Sequence, residues 1–298
     1  MSRVILANTN EWPADEAPLS IVGVTGSGKS ALAQKMAQDI FKSSGKRVLL
    51  LNVDAVAAYR DLDIGSAKPS LEERKNYNYF GFDLFDPDQE IDMASFLAKL
   101  KQRLQSVTEP IIIVGGSFFY ERALVEGMGI GQASDPEFQD GLESFSNEEL
   151  HKRLLALSAQ MAEKIHVNDR YRLMRYLDLL ERQALSVESL RGERKNIIFK
   201  KVFTHIQGVD IQREELKKIL KERIEKMFER GWLAEVEELV RRYGVNAPAL
   251  RSMGYSHIRA FLKKPKPLGE LQADILRAHL NLAKRQRTWA RGLLKAFK

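Results

Sequence analysis

Leu19-Ser20-Ile21-Val22-Gly23-Val24-Thr25-Gly26-Ser27-Gly28-Lys29-Ser30 runs from an apolar stretch of strand length into the spacing G-x-x-x-x-G-K-S, and the helix-like Ala31 to Ala37 follows. This is a Walker-A phosphate loop in its strand-to-helix context. The glycines Gly23, Gly26 and Gly28 let the backbone turn so that successive amides converge on phosphate oxygens at a helix N-terminus. Thr25 and Ser27 complete that cradle. Lys29 adds a mobile positive charge, and the Ser30 hydroxyl is placed to ligate a phosphate-bound Mg²⁺. The loop predicts an α/β fold with a parallel sheet, and it leaves open which phosphorylated molecule binds.

Outward from the loop, Val48 to Val53 is a continuous apolar run ending at Asp54, and Pro110 to Val114 is another, ending at Gly115-Gly116-Ser117. Both read as buried parallel strands. Ligand groups in open α/β sheets lie beyond the carboxyl ends of strands, so Asp54 and Ser117 are expected in one crevice with Lys29. The polar segment Tyr59 to Pro69 reads as a loop over that crevice, Phe80 to Phe85 as a strand, and Ala94 to Leu104 as a helix. Gly127, Gly129 and Gly131 mark a junction, after which Asn147–Leu157, Gln160–Ile165 and Asp169–Arg182 have helical patterns. Lys201 to Ile206 returns to strand character, and two long helices, Gln212–Tyr243 and Gly269–Phe297, finish the chain. The expected organisation is therefore a core of residues 1–127 and 196–298, interrupted by a helical insertion at 128–195.

The charge is divided along the chain. Residues 1–150 hold 14 Lys+Arg against 23 Asp+Glu, a net of −9, whereas residues 151–298 hold 33 against 17, a net of +16. The last 48 residues alone hold 12 against 2. Such an excess exceeds what a solvated helical face needs and points to a polyanion, nucleic acid being the commonest. There is no cysteine, which excludes disulfides, a thiol nucleophile and cysteine-bound zinc. No apolar run approaches the length of a spanning helix and the first residues do not follow the order of a secretion signal, so no membrane partner and a cytoplasmic location are expected.

From these residues the chain resembles the tRNA dimethylallyltransferase family over nearly its whole length. The shared pieces occur in order: the loop Gly23–Ser30, Asp54, Tyr59-Arg60, Asp63-Ile64-Gly65, Ala67-Lys68-Pro69, Asp83, Asp86-Pro87, Gly115-Gly116 and Tyr120. They continue with Leu150-His151, Ile165-His166, Asn168-Asp169, Arg172, Arg175, Arg213, Leu216, Arg223, Met227, Gly231, Glu235-Val236, Gly254-Tyr255 and Lys284-Arg285-Gln286 with Thr288-Trp289. The resemblance implies a P-loop NTPase-like parallel sheet with a helical insertion and long basic C-terminal helices. It also implies a monomer that holds dimethylallyl diphosphate on the phosphate loop with Mg²⁺. The prenyl group then passes to the exocyclic amine of the adenosine 3′ to the anticodon of tRNA. Asp54 would accept the amine's proton, with Ser117 and Lys29 as the other catalytic groups. The anticodon stem-loop would be held by Asp54, Ala55, Val56, Ala57, Tyr171, Arg172, Arg175, Arg213, Arg223, Lys284, Arg285, Gln286 and Arg287.

The departures gather around the target base. The family's Asp-Ser-x-Gln is Asp54-Ala55-Val56-Ala57 here, its His-His is Tyr79-Phe80, and its Gly-Gly-Thr-Gly-Leu-Tyr is Gly115-Gly116-Ser117-Phe118-Phe119-Tyr120. With the polar partners of the base replaced by alanine, base recognition is expected to rest on stacking against Phe118 or Tyr79 and on the backbone of residues 55–57. Two other readings stay open at this point. One is a noncatalytic tRNA-binding relative, and the other a Walker-type NTPase or small-molecule kinase in which Asp54 organises the metal.

Overall fold

The computed structural model describes residues 2–127, 135–191 and 197–296. Among them, six strands form one sheet: β1 (Ser2–Leu6), β2 (Leu19–Gly23), β3 (Leu49–Asn52), β4 (Asn78–Phe80), β5 (Ile111–Val114) and β6 (Lys201–Gln207). Their order is β1-β6-β2-β5-β3-β4, and every pair is parallel. Strands β2 and β3 are buried along their whole length, the pattern of a sheet covered on both faces. The helices in chain order are α1 (Lys29–Ser44), α2 (Leu71–Asn76), α3 (Met93–Leu104), α4 (Phe118–Glu126), α5 (Pro136–Glu143), α6 (Asn147–Leu157), α7 (Ala159–Ala162), α8 (Arg170–Leu177), α9 (Val187–Arg191), α10 (Arg213–Glu229), α11 (Trp232–Tyr243), α12 (Tyr255–Lys263) and α13 (Leu268–Ala296).

Alternate residues of β2 serve the two faces. Leu19 and Ile21 pack with Ala33 and Ala37 of α1, Leu50 of β3, Ile112 of β5 and Phe203 of β6. Val22 faces the other way, onto Phe118 of α4 and Leu293 of α13. A third cluster joins Val24 of the phosphate loop to Leu216 and Leu220 of α10 and Ala283 of α13. The C-terminal helices are thus part of the core beside the loop.

The chain divides into two compact units, Met1–Val125 with Ile198–Lys298, and Glu126–Ile197. The second has its own core of Leu142, Leu150, Leu154, Ala162, Ile165, Leu173, Met174 and Leu177. The expected boundaries, 127/128 and 195/196, adjoin or fall in segments outside the described residues, as do Gly129 and Gly131 of the expected junction.

Several elements differ from the sequence reading. The expected single helix Gln212–Tyr243 is two, because Gly231 adopts a left-handed φ of 95° between α10 and α11. The strand expected at Phe80–Phe85 lies earlier, at Asn78–Phe80; Gly81 at φ 101° and Asp83 at φ 55° turn the chain out of the sheet. Strand β1, helix α2 and helix α12 were not expected. In β1, Arg3 is buried and forms a bidentate pair with Glu121 of α4 at 2.8 and 3.1 Å, while Ser20 and Thr204 supply further hydrogen bonds. A strand carrying a buried arginine and only five residues long has little apolar signature.

Candidate active site

The strand order places the carboxyl ends of β2, β5 and β3 side by side. Strands in a sheet stand about 4.8 Å apart, so the phosphate loop after β2 and Asp54 after β3 are roughly 10 Å apart, with Gly115-Gly116 between them. In the loop, Gly28 is the N-cap of α1 at φ 81°, a conformation that costs other residues energy, and no side chain caps the helix. The amides of the first turn therefore lack both helical acceptors and a capping oxygen, the condition of an anion site. Thr25, Gly26 and Ser27 are partly exposed, and Ser30 is exposed. Among the described residues the buried Ser27 hydroxyl has no hydrogen-bond partner.

Lys29 is buried, and its ammonium donates to the carbonyls of Gly23 at 3.2 Å and Val24 at 2.7 Å. Burial is the main cause that pushes its pKa down to about 8; the positive charge of Arg223 adds to the fall and Asp54 opposes it. Arg223 projects from α10 into the same surroundings. Its pKa is lowered by burial and raised by Asp54. Two cations and one carboxylate thus share the crevice, an excess of positive charge suited to a diphosphate.

Asp54 is held at the end of β3 by its neighbours. Its Oδ1 accepts the Val56 amide at 2.9 Å, and the Asn52 side chain accepts the Asp54 amide at 3.2 Å while donating to Gly81 O at 2.9 Å. Gly116 packs against it closely: a methyl group at Gly116 would stand 3.1 Å from Asp54 Oδ2 and 3.5 Å from Gln286 Nε2. Ser117 is half-buried at the start of α4, where its carbonyl accepts the Glu121 amide at 3.2 Å. Ala55 and Val56 are partly exposed, whereas Ala57 is buried in the core. The Ala57 side chain accordingly has no surface to offer RNA.

Four further expectations change. Gln286 is buried, and both ends of its amide are engaged: Oε1 accepts the Thr25 amide at 2.7 Å and Nε2 donates to Gly116 O at 2.8 Å. It ties the loop to the turn instead of facing outward. Arg287 donates to Ile211 O at 2.6 Å, so half of its guanidinium serves packing between α13 and the segment before α10. Phe118, expected as a stacking surface in the crevice, lies against Trp289 with ring centroids 3.9 Å apart beneath the sheet. Tyr79 packs on the α1 side of the sheet and accepts a hydrogen bond from Gln34 at 2.8 Å. Phe118 is thus buried in the core, whereas Tyr79 is partly exposed on the α1 side. The exposed ring is that of Phe119, the next residue along α4.

The remaining cations separate into exposed and engaged. Arg213 is exposed at the start of α10, as are Lys284 and Arg285 on the outer face of α13. Within the second unit, Tyr171 is 77% exposed and Arg172 pairs with Asp169 at 3.4 Å with most of its side chain in solvent. Arg175 instead pairs at 2.7 Å with Asp178, a fully buried carboxylate that Arg182 also engages at 2.5 Å. That arginine has a structural partner in the unit's own core.

The segment 59–69 forms turns pinned from several sides. Glu235 of α11 accepts the amides of Asp63 at 3.0 Å, Ile64 at 2.7 Å and Gly65 at 3.2 Å, together with the Tyr255 hydroxyl at 2.7 Å. Lys68 is buried between Asp63 at 3.0 Å and Asp83 at 2.6 Å. Residues 235 and 255 lie far away in sequence, and no local spacing announces that they hold this loop.

The family model for IPP transferase matches residues 57–293. The chain is 30% identical over 274 residues to the tRNA dimethylallyltransferase of Crocosphaera subtropica, covering 91% of this chain and 87% of that one. It is 34% identical over 273 residues to tRNA dimethylallyltransferase 1 of Citrifermentans bemidjiense, covering 90% and 86%. Among solved structures, the full-length tRNA isopentenylpyrophosphate transferase from Bacillus halodurans superposes with a TM-score of 0.61 at 24% identity, covering 93% of this chain and 87% of that one. A eukaryotic dimethylallyltransferase acting on tRNA gives 0.72 at 23% identity, covering 91% and 69%. Likeness at that identity supports the P-loop NTPase-like fold. Among the described residues, no helix is long and apolar enough to cross a membrane. A family match over most of the chain, joined to relatives at 30% identity and above that span nine tenths of it, places this protein in the IPP transferase family, the tRNA dimethylallyltransferases.

Proposed function

We propose that the crevice over β2, β5 and β3 transfers a dimethylallyl group from dimethylallyl diphosphate to the N6 amine of the adenosine 3′ to the anticodon of tRNA. The observation that carries this reading is the shared crevice itself: uncapped loop amides, Lys29 and Arg223 lie on one side and Asp54 on the other. The amine nitrogen attacks the allylic carbon, the carbon–oxygen bond to the diphosphate breaks, and Asp54 accepts the proton that the nitrogen releases. The loop amides, Lys29 and Arg223 stabilise the negative charge that grows on the departing diphosphate.

Among the described residues no cluster of three or more His, Cys, Asp or Glu could hold a metal. The exposed Ser30 hydroxyl, at the phosphate-loop position that meets a phosphate-bound ion, would be the protein ligand of an ion carried by the diphosphate itself. Held there, Mg²⁺ would supply charge neutralisation to the leaving group. Arg223 accordingly belongs to the diphosphate side of the crevice. The RNA grip falls to Arg213, Lys284 and Arg285 in one unit and to Tyr171 and Arg172 in the other, with Ala55 and Val56 offering backbone to the base.

The competing nucleotide-hydrolase reading is tested by ATP turnover. Wild-type protein should bind dimethylallyl diphosphate in competition with inorganic diphosphate and should leave ATP intact whether tRNA is present or absent. Robust tRNA-independent ATP hydrolysis that Lys29→Ala abolishes would overturn the proposal.

A further inference from the structure

The β2–β5 ladder stops at Ile21 and Val114. Beyond it the two chains part, one into the phosphate loop and the other into Gly115-Gly116, and no ladder hydrogen bond fixes their separation. Gln286 reaches into that gap from α13. Its carbonyl oxygen accepts from Thr25 at 2.7 Å and its amide nitrogen donates to Gly116 at 2.8 Å. The orientation is forced, since an N–H needs an acceptor and a C=O needs a donor; a reversed amide would set like against like at both ends. The support is stiff as well, because Ile275, Ala283, Ala290 and Leu293 bury the same face of α13.

We propose that Gln286 is a positioning residue that fixes the phosphate loop relative to the Asp54 turn, and so sets the line from the diphosphate to the attacking amine. This deepens the prenyl-transfer reading and rests on it. Gly116 is the point of contact between the two halves. Asp54 Oδ2 and Gln286 Nε2 approach the same side of Gly116, 3.1 and 3.5 Å from where a Cβ would stand, and Gln286 holds the Gly116 carbonyl, so moving that amide moves the turn against which the carboxylate lies. Binding alone tolerates a loose loop better than transfer does, because displacement demands alignment of nitrogen, carbon and oxygen.

Two variants separate this role from filling space. Gln286→Met keeps length and volume but makes neither hydrogen bond, and Gln286→Glu can make both only while its carboxyl is protonated. For Gln286→Met we expect inorganic diphosphate to bind about 10-fold more weakly and the single-turnover rate at saturating substrates to fall by about 10²-fold. For Gln286→Glu the rate relative to wild type should climb as pH falls from about 8 to about 5.5, while the Gln286→Met ratio stays flat; Asp54, Lys29 and Arg223 face the site in all three proteins. Wild-type binding and rate in both variants would overturn the proposal, as would equal losses in both at every pH, which mean lost packing. If Gln286→Met fails to fold, the pH-dependent ratio of Gln286→Glu decides. Diphosphate binding is read without tRNA, so a wild type that binds diphosphate but transfers no prenyl group would count against the prenyl-transfer reading while leaving this binding arm measurable.

Discussion

Lys29 has a pKa pushed down to about 8 from an ordinary 10.5, mainly by burial. Between those values the unfolded chain holds a proton that the folded one lacks, so this group's contribution to stability improves as pH rises through the window and is most unfavourable below about 8. A bound diphosphate reverses the preference by restoring the charged form. Binding of a diphosphate ester at pH about 9 should therefore take up close to one proton, and binding at pH about 7 almost none, as read by calorimetry in buffers of different ionisation enthalpy. Equal uptake at both values would mean that Lys29 does not meet the ligand. Asp54→Asn keeps an oxygen for the Val56 amide but cannot accept the amine's proton, so single-turnover transfer should fall by about 10² to 10⁴-fold with both substrates still bound. A rate within a few-fold of wild type would remove Asp54 from that role. Both residues were legible in the sequence because their geometry is local: a loop of eight residues and the end of one apolar run. The role of Gln286 was not, for its partners lie 261 and 170 positions away. Phe118 misled for a related reason. Helix α4 starts at that residue, and the turn of a helix sends one ring beneath the sheet and its neighbour Phe119 into solvent.

At the scale of elements, the loop 59–69 shows how turn formers reveal a segment but not its anchor. One carboxylate, that of Glu235, satisfies three loop amides and the buried Tyr255 hydroxyl, whose pKa is raised well above its ordinary value by burial and by that carboxylate. Glu235→Ala should cost about 1–3 kcal/mol in denaturant unfolding, chiefly the penalty of orphaning the hydroxyl of the buried Tyr255. A midpoint equal to wild type would show that water replaces the carboxylate freely. Helix α13 offers a second test, since its basic residues were read from the sequence as one set and the structure divides them. Lys284→Ala and Arg285→Ala should each lower the slope of log affinity against log salt for tRNA by about 0.7–0.9, and Arg287→Ala, whose guanidinium serves Ile211, should change it less. Equal slopes for all three variants would contradict the division.

Over the whole molecule, the parallel α/β class follows from buried apolar runs and the phosphate loop, and the opposite charges of the two halves of the sequence point to a polyanion. The order of the strands did not follow, because β6 enters beside β2 only after the second compact unit has been inserted. Strand β1 was hidden by its buried Arg3, which reads as surface until Glu121 is found opposite it. What the fold adds is the adjacency of β2, β5 and β3, which brings to one crevice a phosphate loop and a carboxylate that the sequence separates by more than twenty residues, the arrangement on which the proposed reaction depends. The most direct test of that claim is incubation of the protein with dimethylallyl diphosphate labelled in the prenyl carbon, Mg²⁺ and unmodified tRNA, followed by nucleoside analysis. The label should appear on N6 of the adenosine 3′ to the anticodon with one diphosphate released per transfer, and it should vanish in Lys29→Ala. Tight tRNA binding with no label on any nucleoside, under conditions where an active family member transfers it, would contradict the account.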